Sequence, residues 1–123
     1  MTHRLIIVDD SLIVRNRIAR LATRPDLPDF LVVGVATDGE QALQLASVQK
    51  PTVATMDLTM PQMDGEACIE QLVDRHPEIR ILVVSALADK TTALRAIRKG
   101  AHGFLHKPFT DDDLVESLRE LML

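Results

Sequence analysis

Short apolar runs recur along the chain at intervals of roughly twenty-five residues, at positions 5–8, 30–36, 53–56, 81–84 and 103–105. They are rich in Val and Ile and show no polar alternation, the pattern of strands whose two faces are both covered. Between them, apolar residues return at helical spacing. The clearest case is Leu114, Val115, Leu118, Leu121 and Met122, at i, i+1, i+4, i+7 and i+8. Thr110 is placed to cap that helix, with Asp111, Asp112 and Asp113 near the positive end of its dipole.

Val14, Ile18 and Leu21 form one face of a first helix, which Arg24-Pro25 should stop. Asp38 and Gln41 have capping-box spacing ahead of Ala42, Leu43 and Ala46. Ile69, Leu72 and Val73 define a third helix ending near His76-Pro77. A fourth, over 89–99, has only Leu94 and Ile97 as large apolar residues and should be the least firmly packed, with Gly100 as its stop. Strands alternating with helices in this way predict one α/β domain over 1–123, a parallel sheet with right-handed crossovers.

In such a sheet, ligands bind beyond the carboxyl ends of the strands. Asp9 and Asp10 follow the first apolar run, Asp57 the third, Ser85 the fourth and Lys107 the fifth. Strand 2 supplies nothing comparable, as an edge strand would. Two of these carboxylates about 4 Å apart would repel by about 4 kcal/mol at an effective dielectric near 20. Lys107 alone is too little to offset three, and a hard divalent cation with oxygen ligands, Mg²⁺ above all, suits the set better. With no His or Cys in the set, zinc is disfavoured. The residues therefore read as a magnesium–carboxylate site with an ammonium and a hydroxyl placed for phosphoryl oxygens, one Asp serving as nucleophile.

Composition narrows the class. With 14 Lys and Arg against 18 Asp and Glu, the net charge is −4, which disfavours direct nucleic-acid binding. A single cysteine, Cys68, cannot close an internal disulfide and reads as a small buried hydrophobe. The apolar runs are too short to span a bilayer, and a cytoplasmic location without membrane contact is the expectation. Gly34 and Gly39 have P-loop-like spacing, but Glu40 stands where Lys would be needed. The four histidines, His3, His76, His102 and His106, are expected at the surface.

Val8-Asp9-Asp10-Ser11, the stretch from Met56-Asp57 through Met60-Pro61 to Asp64-Gly65, Val84-Ser85-Ala86, and Phe104-Leu105-His106-Lys107-Pro108-Phe109 resemble the motifs of two-component response-regulator receiver domains. The resemblance spans the chain in order and spacing. It implies the flavodoxin-like, CheY-like doubly wound (βα)5 fold with strand order 2-1-3-4-5. It also implies a switch rather than an enzyme. Asp57 would take a phosphoryl group from a sensor histidine kinase, a histidine phosphotransfer protein or a small-molecule donor. Asp10 and Asp57 would ligate Mg²⁺ through carboxylates and Thr59 through its carbonyl, with Asp9 holding a metal-bound water. Lys107 would pair first with Asp57 and then with the phosphoryl group.

By the same resemblance, Ser85 would hydrogen-bond the phosphoryl group and Phe104 would turn inward as the loop moves. The surface of the fourth helix, fifth strand and fifth helix would then recruit an unidentified protein target, the chain acting as a monomer or a phosphorylation-dependent dimer. Phe104 has a plain alternative as a packed core aromatic, and the basic face of Arg95, Arg98 and Lys99 as a solvated one. The Lys107-Pro108 bond should be cis. Leu87, two residues beyond Ser85, carries no polar group to guide water, which implies slow self-dephosphorylation. Since the chain ends where its fifth helix should end, a stand-alone, chemotaxis-type receiver is the leading expectation. The alternatives are the receiver part of a DNA-binding or methylesterase regulator, and a small Mg²⁺-dependent phosphatase.

Overall fold

A computed structural model describes residues 2–87 and 89–123. In chain order the elements are β1 (His3–Val8), α1 (Leu12–Leu21), β2 (Phe30–Ala36), α2 (Gly39–Gln49), β3 (Val53–Met56), α3 (Gly65–Arg75), β4 (Arg80–Ser85), α4 (Lys90–Lys99), β5 (Gly103–His106) and α5 (Asp111–Leu121). The strands form one parallel sheet in the order β2-β1-β3-β4-β5. β2 is indeed an edge, and a register shift between Leu5 and Ile6 sets Val33 out of step with β1.

Each strand feeds two cores, which is why the apolar runs show no alternation. On one face Leu5, Ile7, Val53, Leu82 and Val84 pack with Ile18 of α1 and with Leu114 and Leu118 of α5. On the other, Ile6, Val8, Met56, Ile81 and Val83 pack with Leu43 of α2 and with Ile69 and Leu72 of α3. Cys68 is fully buried here, and burial pushes its thiol up to about 12.

Every helix opens on a side-chain cap: Ser11, Asp38, Asp64, Asp89 and Thr110 each accept from the backbone N–H three residues on. At Thr110 the box is complete, since Asp113 returns a bond to the Thr110 N–H at 3.1 Å. At Asp38 only half of the predicted box forms. Gln41 reaches past the cap and accepts from the Thr37 N–H and hydroxyl, each at 3.0 Å. α1 stops at Leu21, ahead of the Arg24-Pro25 signal, where the Thr23 hydroxyl donates to the Arg20 carbonyl at 2.8 Å.

α4 corrects the sequence reading. Leu94 and Ile97, the only large apolar residues on which its sequence pattern rests, are 55% and 46% exposed, while Thr92 and Ala96 are buried. Small side chains let this helix lie close to the sheet, so its larger apolar residues are turned outward. Its basic flank is tied to α3 instead, Arg95 to Glu66 at 2.9 Å and Lys99 to Glu70 at 2.8 Å. Exposed ion pairs of this kind contribute little, so α4 is held mainly by two small buried residues. Gly100 ends it at φ 122°, as expected of a glycine stop. Among the described residues, no helix is long and apolar enough to cross a membrane.

Candidate functional site

The sheet's own hydrogen bonding runs on past the strand ends and places the polar residues there. The Asp9 N–H donates to the Ala36 carbonyl at 3.0 Å, the Asp57 N–H to Val8 at 2.9 Å and the Lys107 N–H to Ser85 at 2.8 Å. Side chains on three different strand ends are thereby brought to one point. The carboxylates of Asp9, Asp10 and Asp57 have oxygens within 4.8 Å of one another.

The three differ in surroundings. Asp9 is buried, accepting from the Ser11 N–H at 2.9 Å through Oδ1 and from the Lys107 ammonium at 2.8 Å through Oδ2. Asp57 is also buried and accepts from the Thr59 N–H at 3.2 Å. Asp10 is exposed and accepts no hydrogen bond from protein among the described residues. Lys107 lies 3.7 Å from Asp57, so its nearer partner is Asp9, where the resemblance implied Asp57 first. The reason is geometric. Asp9 is the deeper carboxylate and its second oxygen points at the ammonium, while Asp57 is turned to the loop.

Burial, above all, pushes the Asp57 carboxyl above the usual range, and the Asp9 and Asp10 charges push the same way. The Thr59 N–H and Lys107 pull it back without cancelling the rise. One ammonium against three carboxylates leaves the pocket with surplus negative charge. Its donors are all hard oxygens, and one carboxylate faces solvent, so the set fits a hard divalent cation.

Ser85 is buried at the end of β4, its hydroxyl accepting from the Leu87 N–H at 3.1 Å. Phe104 is half-buried on the α4 side of β5, packed against the α2–α4 core. Thr59 is exposed at the rim. All the predicted site residues therefore meet at one end of the sheet, except Phe104, which stands one step back along β5. The Lys107-Pro108 peptide is cis, as the resemblance implied.

Three contributors went unread in the sequence. Arg15 donates to the Asp9 carbonyl at 2.8 Å, and Arg17 grips the segment after Lys107. Gly65 lets α3 meet the loop after β3, because a Cβ there would run into the Asp57 carbonyl and lie 2.6 Å from the Leu58 Cα. A glycine directly after a capping Asp was a usable signal for that last contact. The arginine contacts depend on tertiary reach, which periodicity does not encode. The histidines are as exposed as expected except that His3 and His76 are half-buried, but His102 is more than a surface residue: its Nδ1 accepts from the Ile81 N–H at 3.1 Å.

A doubly wound parallel sheet with an acidic pocket and a lysine at its carboxyl edge defines a class, and the family comparison agrees. The response regulator receiver domain matches residues 5–119, and the chain belongs to that family. It is 34% identical over 121 residues to the chemotaxis protein CheY of Thermotoga maritima, covering 98% of both chains. It is 37% identical over 113 residues to a protein-glutamate methylesterase/protein-glutamine glutaminase of Shewanella denitrificans, covering 90% of this chain and 28% of that one. Among solved structures it is similar to the CheX–CheY–BeF3–Mg²⁺ complex from Borrelia burgdorferi, with TM-score 0.91, 25% identity, and coverage of 98% and 90%. The chain is thus a CheY-like receiver domain of the two-component signalling class.

Proposed function

We propose that Asp57 is the phosphoryl acceptor of a signalling switch, fed by a sensor histidine kinase or a histidine phosphotransfer protein. The observation that carries this reading is the convergence of Asp9, Asp10, Asp57 and Lys107 at the carboxyl edge of the sheet. Asp10, Asp57 and the Thr59 carbonyl would hold Mg²⁺, which when bound neutralises the pocket and the incoming phosphoryl charge. The Mg²⁺ in the similar Borrelia CheY complex supports that assignment.

An Asp57 carboxylate oxygen attacks phosphorus in line. The bond from phosphorus to the donor nitrogen breaks, and its electron pair leaves with the imidazole. Asp57 must be ionised to attack, so Lys107 and the Thr59 N–H, which favour the charged form, keep it reactive against the cost of burial. Lys107 then has a phosphoryl oxygen within reach of its short swing between Asp9 and Asp57. Among the described residues the Ser85 hydroxyl accepts from the Leu87 N–H and donates to no protein acceptor, which leaves its proton for the phosphoryl group. Drawing Ser85 inward moves the start of the loop to α4, the helix whose buried contacts come from Thr92 and Ala96. Phe104 shares that sheet face. The α4–β5–α5 surface, with Leu94 and Ile97 exposed, is where a partner protein reads the change.

This makes the chain a phosphoacceptor and not a turnover enzyme. The similarity to the receiver part of a methylesterase supports a second setting for the same chemistry, within a longer regulator; the reading frame beyond Leu123 decides between them. The primary test is intact mass after incubation with acetyl phosphate and Mg²⁺. One added phosphoryl group that requires both the metal and Asp57, absent from Asp57→Asn and from a chelated sample, is the expected result. Multiple turnover of phosphate esters without an adduct would identify a phosphatase instead.

A further inference from the structure

Lys107 stands in the loop between β5 and α5, and the structure holds that loop on both sides of it. Before it, the Lys107 N–H is tied to the Ser85 carbonyl at 2.8 Å. After it, the fastening comes from α1. The Arg17 guanidinium lies over the Phe109 ring with Cζ 4.4 Å from its centroid. One of its terminal nitrogens donates to the Phe109 carbonyl at 2.8 Å, and its Nε to Asp111 Oδ1 at 2.9 Å. Ring, carbonyl and carboxylate are three different groups within three residues, all gripped by one planar fork. Lysine has neither the fork nor the flat face to do this. Arg20, 3.8 Å from Asp111, adds charge but no hydrogen bond.

We propose that Arg17 is a positioning residue for phosphoryl transfer: by clamping Phe109 and Asp111 onto α1, it sets where the Lys107 ammonium stands between Asp9 and Asp57. The inference rests on the proposed role of Asp57 and Lys107. Phe109 is buried and follows Lys107 by two residues, so slack at Phe109 passes straight to the lysine backbone. The Lys107 side chain is only 19% exposed, and the position of its ammonium decides which carboxylate it neutralises. A displacement of about 1 Å in such a group can cost on the order of 10²-fold in rate. For a clamp acting through a neighbour we expect about 10-fold.

The test combines a mutant cycle with amine labelling. Phosphorylation by acetyl phosphate at saturating Mg²⁺ is measured for the parent, Arg17→Ala, Arg17→Lys, Lys107→Ala and the double variant Arg17→Ala/Lys107→Ala. The expected results are a loss of about 10-fold in Arg17→Ala, partial recovery in Arg17→Lys, and no further loss when Arg17→Ala is added to Lys107→Ala. An equal loss in both backgrounds would overturn the proposal, since the effect would then bypass Lys107. In parallel, trace acetylation read by mass spectrometry compares Lys107 with the exposed Lys50. Selective, several-fold faster labelling of Lys107 in Arg17→Ala supports the clamp; unchanged labelling with a lower Tm reduces Arg17 to a helix-packing residue and overturns it. Should the parent acquire no phosphoryl group, the proposed function falls while labelling still decides on the clamp. If Arg17→Ala does not fold, Arg17→Lys and Asp111→Asn carry the same two measurements.

Discussion

The Lys107 ammonium is 2.8 Å from Asp9 and 3.7 Å from Asp57. The cation in the pocket is therefore spent chiefly on the carboxylate that the sheet buries most deeply, and Asp57 is left incompletely compensated. Deep charge is the costliest to leave unpaired, so Asp9 holds the lysine by default. Asp57 keeps its charge only against burial and two like neighbours. That imbalance makes the pocket receptive to a cation and leaves Lys107 3.7 Å from Asp57 Oδ2, too far for a hydrogen bond.

The same imbalance should be visible as stability. The folded pKa of Asp57 lies above its unfolded value, so the native state holds the proton more tightly. Ionising Asp57 then costs stability, a cost fully present above the folded pKa and gone below the unfolded one, near 3.8. In chelator at pH 7, Asp57→Asn should be more stable than the parent by about 1 kcal/mol, roughly 4 °C in Tm. The difference should shrink as pH is lowered, and Mg²⁺ should raise the Tm of the parent more than that of the variant. Thermal scans with identical Tm at pH 7 would show that Asp57 carries no such cost.

Glycines separate backbone from side-chain crowding. A Cβ on Gly65 meets the Asp57 carbonyl and the Leu58 backbone, which cannot move without moving the site. A Cβ on Gly34 meets only the tip of Leu45, at 2.5 Å from Cδ1. Gly65→Ala should cost about 3 kcal/mol, at the upper end of overpacking effects, and Gly34→Ala about 1 kcal/mol or less. Urea midpoints measure both, and equal midpoints would refute the distinction.

His102 predicts a separate pH response. Its backbone N–H donates to the Ile81 carbonyl at 2.8 Å while its Nδ1 accepts from the Ile81 N–H at 3.1 Å, so backbone and ring together extend the β4–β5 pairing by one residue ahead of β5. Burial first, and the Arg80 charge second, hold its pKa below the ordinary 6.5. A depressed folded pKa means the unfolded chain binds the proton more readily. The contribution is thus complete above the unfolded pKa and lost as pH falls through the folded one. Protection of the Ile81 amide against hydrogen exchange should be high at about pH 7 and weaken toward about pH 5. His102→Gln should flatten that dependence; an unchanged profile in the variant would assign it elsewhere.

Much of this molecule was legible in advance, and the failures share one cause. The sites at the strand ends could be read because each polar residue directly follows an apolar run, and sheet hydrogen bonding keeps that order in space. Cap residues such as Thr110 and Asp38 were equally local. What periodicity could not resolve was size and reach. It weighted Leu94 and Ile97 for their bulk, whereas α4 packs through Thr92 and Ala96 because small residues permit close approach. Nor does spacing say which carboxylate a flexible lysine prefers, or that Arg17 reaches across to Phe109.

Leu87 bears on how long the switch stays on. It lies two residues past Ser85 and is 42% exposed, with its N–H engaged by the Ser85 hydroxyl. Hydrolysis of an acyl phosphate needs a water held in line behind phosphorus, and an isobutyl group offers that water neither a donor nor an acceptor. A carboxylate at the same position would orient the water and accept its proton. Leu87→Glu should therefore shorten the phospho-Asp57 lifetime several-fold, short of the roughly 10²-fold of a fully positioned general base. Because Leu87 is outward-facing, the variant should keep the parent Tm, which separates a change in chemistry from a damaged fold. Decay of the phosphorylated mass after removal of acetyl phosphate gives the rate, and an unaltered lifetime in a well-folded Leu87→Glu would place control of the water with another residue.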